Sequence, residues 1–126
     1  RTILYIGRRI RNDAAMEGTK EKALIVSSEF FISADNIYSY GTELFGEYQA
    51  IKYENLIYEE VRQLPSRYLI HPECRYMPTQ NKMYRTIMLP AHFILYRITN
   101  KRIEVLDIIS YKESISHIKN RRNIKP

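Results

Sequence analysis

The sequence is poor in cysteine and has no long apolar run, and each shortage narrows the class of protein. Cys74 is the only cysteine among 126 residues, so no intrachain disulfide can form and packing must hold the fold. A reducing compartment suits such a chain, and we expect a cytoplasmic protein. No uncharged apolar stretch approaches the roughly 18 residues of a membrane span, and arginines interrupt "TILYIGRRIR" where a secretory signal would need an apolar core. We therefore expect no membrane partner.

Internal repeats and low-complexity segments are also absent from the sequence. A chain of 126 residues is long enough for one domain with a single core and too short for two. The sequence begins at Arg1 rather than at a methionine, which leaves the natural start open, with Met16 as one candidate.

The net charge of +6 is spread unevenly along the chain. Residues 28–63 carry two basic and seven acidic side chains, whereas residues 75–126 carry eleven basic and three acidic ones. The basic half favours an anionic partner, either a nucleic acid or an acidic peptide, although a basic surface that serves solubility gives the same pattern.

Two amphipathic segments predict a helical hairpin behind a first strand. The β-branched run "KALIVSS", residues 22–28, indicates a strand that ends at a serine helix cap. Apolar residues then recur at three- and four-residue spacing through two segments, which Gly46 separates and Pro65 ends. Acidic residues between them, including Glu54, are expected in solvent. Residues 28–64 should therefore fold as two antiparallel helices.

Three β-rich segments follow a proline-rich loop, and they lie at residues 82–89, 92–98 and 102–109. Short connections make them an antiparallel meander. In the last two, both alternating sets are apolar, with Ile109 placed on the face of Ile103 and Ile108 on the other, so these strands belong in the middle of a sheet. The prediction is an α+β fold with an N-terminal strand and a helical hairpin packed on one face of a twisted antiparallel β-sheet. A further helix is expected near residues 114–122.

The residues of three stretches resemble the RelE/ParE toxin superfamily. "ALIVSSEFFISADNIYSYG" resembles its opening strand and helix, and "YRTIMLPAHFILYRITNKRIEVLDIIS" resembles its closing strands. The loop "LPSRYLIHPECRYMP" is similar to proteins of plasmid stabilisation. The resemblance implies a single toxin domain over residues 22–126. Residues 1–21 then form an N-terminal extension, either an extra strand or a disordered arm.

What the resemblance implies about function is the toxin of a type II toxin–antitoxin module, neutralised by a cognate antitoxin. Two activities occur in the superfamily: inhibition of DNA gyrase, as in ParE, and ribosome-dependent cleavage of mRNA, as in RelE. Cleavage requires groups that move protons and cations that hold the phosphate. The candidates here are Arg85, Tyr111 and Lys112, while Ile87 replaces a basic residue of the nuclease pattern. We therefore favour the ParE-like activity, and the sequence leaves open whether the chain is an enzyme.

Basic residues near the sheet and the C-terminus are the candidates for binding the target or the antitoxin, and they are Arg85, Arg97, Lys112, Lys119, Arg121 and Arg122. We expect the sheet face opposite the helices to be open and concave, and to receive an antitoxin segment whose acidic groups meet Arg85 and Arg97. Alternatively, these arginines only keep an edge of the sheet soluble.

Another possibility is that the same fold serves a non-toxic nucleic-acid-binding or protein-binding module. His71 lies three residues before Cys74 without a second ligand pair, which is a poor metal signature, so neither a metal nor a cofactor is expected.

Overall fold

The computed structural model describes residues 22–126, and its helices and strands follow the predicted order. They are β1 (Ala23–Val26), α1 (Ser28–Phe45), α2 (Glu47–Arg62), α3 (Leu64–Arg67), β2 (Tyr84–Met88), β3 (His92–Ile98), β4 (Arg102–Ser110) and α4 (Ile115–Asn120), followed by a 3-10 turn at Arg121–Asn123. The predictions for residues 1–21 lie outside the described residues. Within residues 22–126 no helix has both the length and the apolar character needed to cross a bilayer.

The four strands form one sheet in the order β1-β4-β3-β2. β2, β3 and β4 pair as the predicted antiparallel meander, and β3 and β4 occupy the middle of the four-stranded sheet. β1 runs parallel to β4, with Ala23 opposite Arg102, so the sheet is mixed. A parallel neighbour requires a long crossover connection, and the helical hairpin supplies part of it.

α1 begins where the predicted serine cap lies, with Ser27 as the capping residue. The Ser27 hydroxyl accepts the N–H of Phe30 at 3.0 Å and donates to the carbonyl of Leu106 at 2.5 Å. One side chain therefore satisfies an orphan donor of the helix and ties the helix to β4. The next helix ends at Arg62, and Pro65 lies in the first turn of α3, where its missing N–H costs nothing.

The main core lies between the hairpin and the sheet, as predicted. It is a continuous cluster of buried side chains from both layers, including Leu24, Phe30, Ile57, Val61, Leu64, Ile94, Tyr96, Ile103 and Val105. Burial of a single large apolar side chain contributes about 1.5–3 kcal/mol. The helical hairpin is therefore held by its apolar face against the sheet.

The opposite sheet face is covered by the chain itself, so the expectation of an open concave face is wrong. A second cluster of buried residues fills it, with Met77 from the loop before β2 and Ile118 from α4 packed over strand residues such as Phe93 and Leu95. Ile124 packs against the same cluster. Ile118 and Ile124 of the C-terminal segment provide this cover. The basic charge of that segment does not indicate it.

A β-bulge in β4 corrects the predicted facing of its last residues. The register passes from Leu95 opposite Asp107 to Tyr96 opposite Val105, which leaves one extra residue in β4. Beyond the bulge Ile108 joins the main core and Ile109 joins the second cluster, the reverse of simple alternation.

Candidate partner-binding groove

The helical hairpin has a covered half and an uncovered half. The hairpin base, residues 28–36 and 57–62, lies on the sheet, and its Phe30 and Val61 are fully buried. The hairpin tip, residues 37–56, continues the same apolar spacing without equal cover. Its side chains of Tyr40, Leu44 and Phe45 are 65%, 54% and 70% exposed. Apolar side chains of this size in a contiguous exposed patch are typical of a binding surface.

A groove of about 1310 Å³ runs between the hairpin tip and the end of the sheet. Its apolar side includes Ile37, Tyr40, Leu44, Phe45 and Leu56. Its far side is formed by the start of β3 and the end of β4, at His92, Ser110, Tyr111 and Lys112. A volume of this size suits a segment of polypeptide better than a metal ion or a small anion.

Two small residues lie between the two helices at the hairpin tip. Gly41 of α1 faces Ala50 of α2, and a Cβ built on Gly41 would lie 3.6 Å from the Cβ of Ala50. The helices therefore approach closely at the tip. Gly46 turns the chain between them at φ +89°, a conformation that L side chains rarely adopt.

A hydrogen-bonded pair joins the hairpin tip to the sheet at one end of the groove. The Tyr53 hydroxyl lies 2.9 Å from Nδ1 of His92 and accepts the N–H of Ala91 at 3.2 Å. Burial lowers the pKa of His92 from its usual value and raises the pKa of Tyr53. Both groups are therefore neutral near pH 7, and their hydrogen bond links α2 to β3.

Arg85, the first basic candidate, uses its guanidinium within the chain. It donates to the backbone carbonyls of Leu69 at 3.0 Å, His71 at 3.1 Å and Lys82 at 3.0 Å. These bonds hold the loop before β2 against the edge strand. A phosphate at this position would have to share or displace those acceptors, so the geometry gives Arg85 a structural role.

Arg97, the second candidate, pairs with Glu104 on the neighbouring strand at 2.7 Å, and both side chains are nearly buried. It also donates to the carbonyls of Arg122 and Ile124 at 3.1 and 2.9 Å. The same guanidinium lies 5.7 Å from the ring centroid of Tyr84. Arg97 therefore fixes the C-terminal segment to the sheet instead of standing free at its rim.

The C-terminal candidates divide into one engaged arginine and two exposed cations. Arg121 pairs with Asp107 of β4 at 2.8 Å and with Glu113 at 3.0 Å. Asp107 also accepts the hydroxyl of Ser33 in α1, so it joins three parts of the chain. Lys119 and Arg122 are exposed, and their predicted contacts with a target or antitoxin remain predictions.

Two catalytic candidates, Tyr111 and Lys112, lie in the groove, whereas Arg85 is bonded to the loop before β2. The Tyr111 hydroxyl donates to the carbonyl of Leu89 at 2.6 Å. Lys112 is exposed, and no carboxylate among residues 22–126 forms an ion pair with it. The described geometry therefore does not gather these three residues around one phosphate.

Cys74 and the histidines show no arrangement for covalent or metal chemistry in the part of the chain that is described. Cys74 is 1% exposed, and burial raises the pKa of its thiol. Burial also lowers the pKa of His71. Across residues 22–126 no three His, Cys, Asp or Glu side chains are close enough to hold a metal ion.

Sequence reasoning missed the groove and the polar residues at its end. Glu54, expected in solvent, is only 8% exposed and lines the groove; its place on the inner side of α2 follows from its four-residue spacing to Ala50. His92 and Tyr53 gave no sequence signal, because one lies at the start of a strand and the other on an apolar helical stripe. The apolar residues of the tip were recognised as one helical face, and the spacing alone does not show where that face loses its cover.

Comparison with known proteins gives a fold. No protein family model matches the chain, and no curated protein matches it. A solved chain from the structure "Chromosomal ParDE TA system from P. aeruginosa" has a TM-score of 0.60 and 23% sequence identity, over 71% of this chain and 96% of that chain. The protein therefore shares its α+β fold with a chain of a ParDE toxin–antitoxin system, as the resemblance implied.

Proposed function

We propose that the protein, which shares its fold with a chain of a ParDE toxin–antitoxin system, is the toxin of a type II module of the plasmid-stabilisation kind. It acts in the ParE manner, by binding an essential target such as DNA gyrase, and a cognate antitoxin neutralises it. Cytoplasmic action and the absence of a membrane partner belong to the same proposal.

The observation that carries the proposal is the uncovered apolar tip on this fold. Tyr40, Leu44 and Phe45 lie exposed along one groove, and a chain that acted alone would gain nothing from that exposure. An amphipathic helix laid in such a groove buries the apolar residues of both partners. The groove, rather than the filled sheet face, is therefore the place for the antitoxin.

Protein binding is favoured over RNA cleavage by the engagement of the cations. Cleavage needs a proton acceptor, a proton donor and free cations around one phosphate. Arg85 and Arg97 instead donate to backbone carbonyls and to Glu104, and Ile87 is buried in the main core. The ribosome-dependent nuclease and the non-toxic binding module are the two alternatives that the test must separate.

Induced expression in a bacterium tests the proposal. We expect growth arrest accompanied by relaxed or broken plasmid DNA and by intact transcripts. Transcripts cut at early times, with DNA topology unchanged, would establish the nuclease alternative. Unimpaired growth with a folded, abundant protein would contradict toxicity and favour the binding module.

The control is a variant that cannot fold. Phe30 is fully buried in the core, so Phe30→Asp places a charge among apolar side chains and should unfold the protein. Expression of this variant reports the burden of synthesis alone. Arrest by both proteins would show that the effect does not depend on the folded toxin.

A further inference from the structure

The sheet end of the groove differs in chemistry from the rest of it. The walls near the tip are mainly apolar, whereas His92, Ser110 and Lys112 come together where β3 begins and β4 ends. The hydroxyl of Ser110 accepts the backbone N–H of Lys112 at 3.1 Å, which holds the turn after β4 in place. Three polar side chains from two adjacent strand ends therefore face the same end of the groove.

The contact with Tyr53 engages Nδ1 of His92 and leaves Nε2 for a partner. The Tyr53 hydroxyl accepts the N–H of Ala91 and can donate its own proton to Nδ1 of His92. In that tautomer the neutral ring carries its proton on Nε2. His92 can then donate from Nε2 on the groove side, where no residue of the described chain accepts a hydrogen bond from it.

Lys112 provides an unpaired positive charge at this end of the groove. It has no ion-pair partner among residues 22–126. The other charged residues that line the groove, Lys52 and the buried Glu54, lie on α2. A carboxylate of a partner would therefore be attracted to the turn after β4, where Lys112 lies.

We infer that the groove binds an amphipathic segment whose apolar side chains cover the hairpin tip and whose carboxylate is held by Lys112, Nε2 of His92 and the Ser110 hydroxyl. This inference rests on the proposed function, since it specifies the antitoxin segment that the groove takes. The carboxylate fixes the register of the segment, and the apolar contacts supply most of its affinity.

Two fluorescent probes test the carboxylate end without any knowledge of the partner. Anilinonaphthalene sulfonate has apolar aromatic rings and one anionic sulfonate group, whereas Nile red is apolar and uncharged. We expect Lys112→Gln to weaken binding of the anionic probe at least about threefold and to leave Nile red unchanged. Lys101→Gln is the matched control, because Lys101 is exposed in the β3–β4 turn, outside the groove. Equal effects of the two substitutions on the anionic probe, or none, would overturn the inference.

The cognate antitoxin of the proposed module supplies the second arm of the test. Each of its Asp and Glu residues is changed to Asn or Gln, and affinity is measured against the wild type and Lys112→Gln. At one acidic position, the substitution should clearly lower the affinity for the wild-type protein and should hardly change the affinity for Lys112→Gln. Additive losses at every acidic residue would refute the carboxylate contact, while growth arrest on expression would still stand for the toxin. If expression causes no growth arrest but one acidic residue still depends on Lys112 for its effect on affinity, the toxin proposal is refuted and the carboxylate contact stands.

Discussion

The two halves of the helical hairpin carry the same apolar pattern and meet different surroundings. At the hairpin base, Phe30 and Val61 are fully buried against the sheet. At the hairpin tip, Leu44 and Phe45 are 54% and 70% exposed beside the groove. The base therefore stabilises the chain, whereas the tip is available to a partner.

This difference shows that helical periodicity identifies an apolar face without identifying what covers it. The hairpin tip lies beside the groove instead of against the sheet, and it keeps large apolar side chains such as Leu44 and Phe45. Such exposed residues add little to the stability of the chain alone, and for this reason we propose them as a binding surface.

The largest contrast is expected between two phenylalanines of α1. Phe30→Ala should lower the free energy of unfolding by about 3–5 kcal/mol, because it opens a cavity in the main core. Phe45→Ala should change it by no more than about 0.5 kcal/mol, because the ring is already in water. Urea unfolding of both variants measures the difference. A cost at Phe45 close to that at Phe30 would mean that the tip is packed within the chain.

The two glycines of the tip should respond with opposite signs. Gly46→Ala forces an alanine into φ +89° and should cost about 1–3 kcal/mol. Gly41→Ala places its methyl group at ordinary contact distance from Ala50, 3.6 Å away, and should stabilise the helix by about 0.5–1 kcal/mol. Thermal unfolding compares the two. A destabilising Gly41→Ala would indicate that the tip helices lie closer than described.

The link between tip and sheet through Tyr53 should have an intermediate effect. Tyr53→Phe removes the hydroxyl that serves Ala91 and His92 while keeping the ring. We expect a loss of about 0.5–1.5 kcal/mol and faster amide exchange in the tip than in the base. Hydrogen exchange followed by mass spectrometry measures both regions at once. Uniformly faster exchange across both helices would show that the two halves open together.

The smallest expected effect is a dependence of stability on pH. Burial lowers the pKa of His92 below its usual 6.5, so the unfolded chain binds a proton more readily than the folded one. Stability from this source is complete above about pH 6.5 and declines as the pH falls through the lowered folded pKa. His71 acts in the same direction. Urea midpoints at about pH 7.5 and pH 5.5 should differ less in His92→Asn than in the wild type. A wild type that gains stability on acidification would contradict the sign.

Local patterns predicted most of the fold, and long-range contacts account for what was missed. The serine cap, the hairpin and the meander follow from spacing and turn residues. The bulge after Val105, the parallel pairing of β1 and the cover that Ile118 and Ile124 give the second sheet face depend on residues distant in sequence. No local pattern specifies them.

The candidate site was predicted less well for the same reason. The sequence predicted Arg85 and Arg97 as free cations on strands. In the structure Arg85 donates to the carbonyl of Leu69 and Arg97 donates to the carbonyl of Ile124. Lys112 was identified by its charge and does lie in the groove. The groove itself lies between the hairpin tip and the end of the sheet, and helical spacing does not specify how these two parts lie relative to each other.

The affinity of the proposed cognate antitoxin for the hairpin tip tests the central claim most directly. Titration calorimetry would compare the wild type with Leu44→Ala/Phe45→Ala and with the control Ile32→Ala/Leu69→Ala, whose side chains are exposed outside the groove. We predict that the tip variant binds at least about thirtyfold more weakly and that the control binds as the wild type does. Equal affinity of all three proteins would contradict the claim that the uncovered tip is the binding surface.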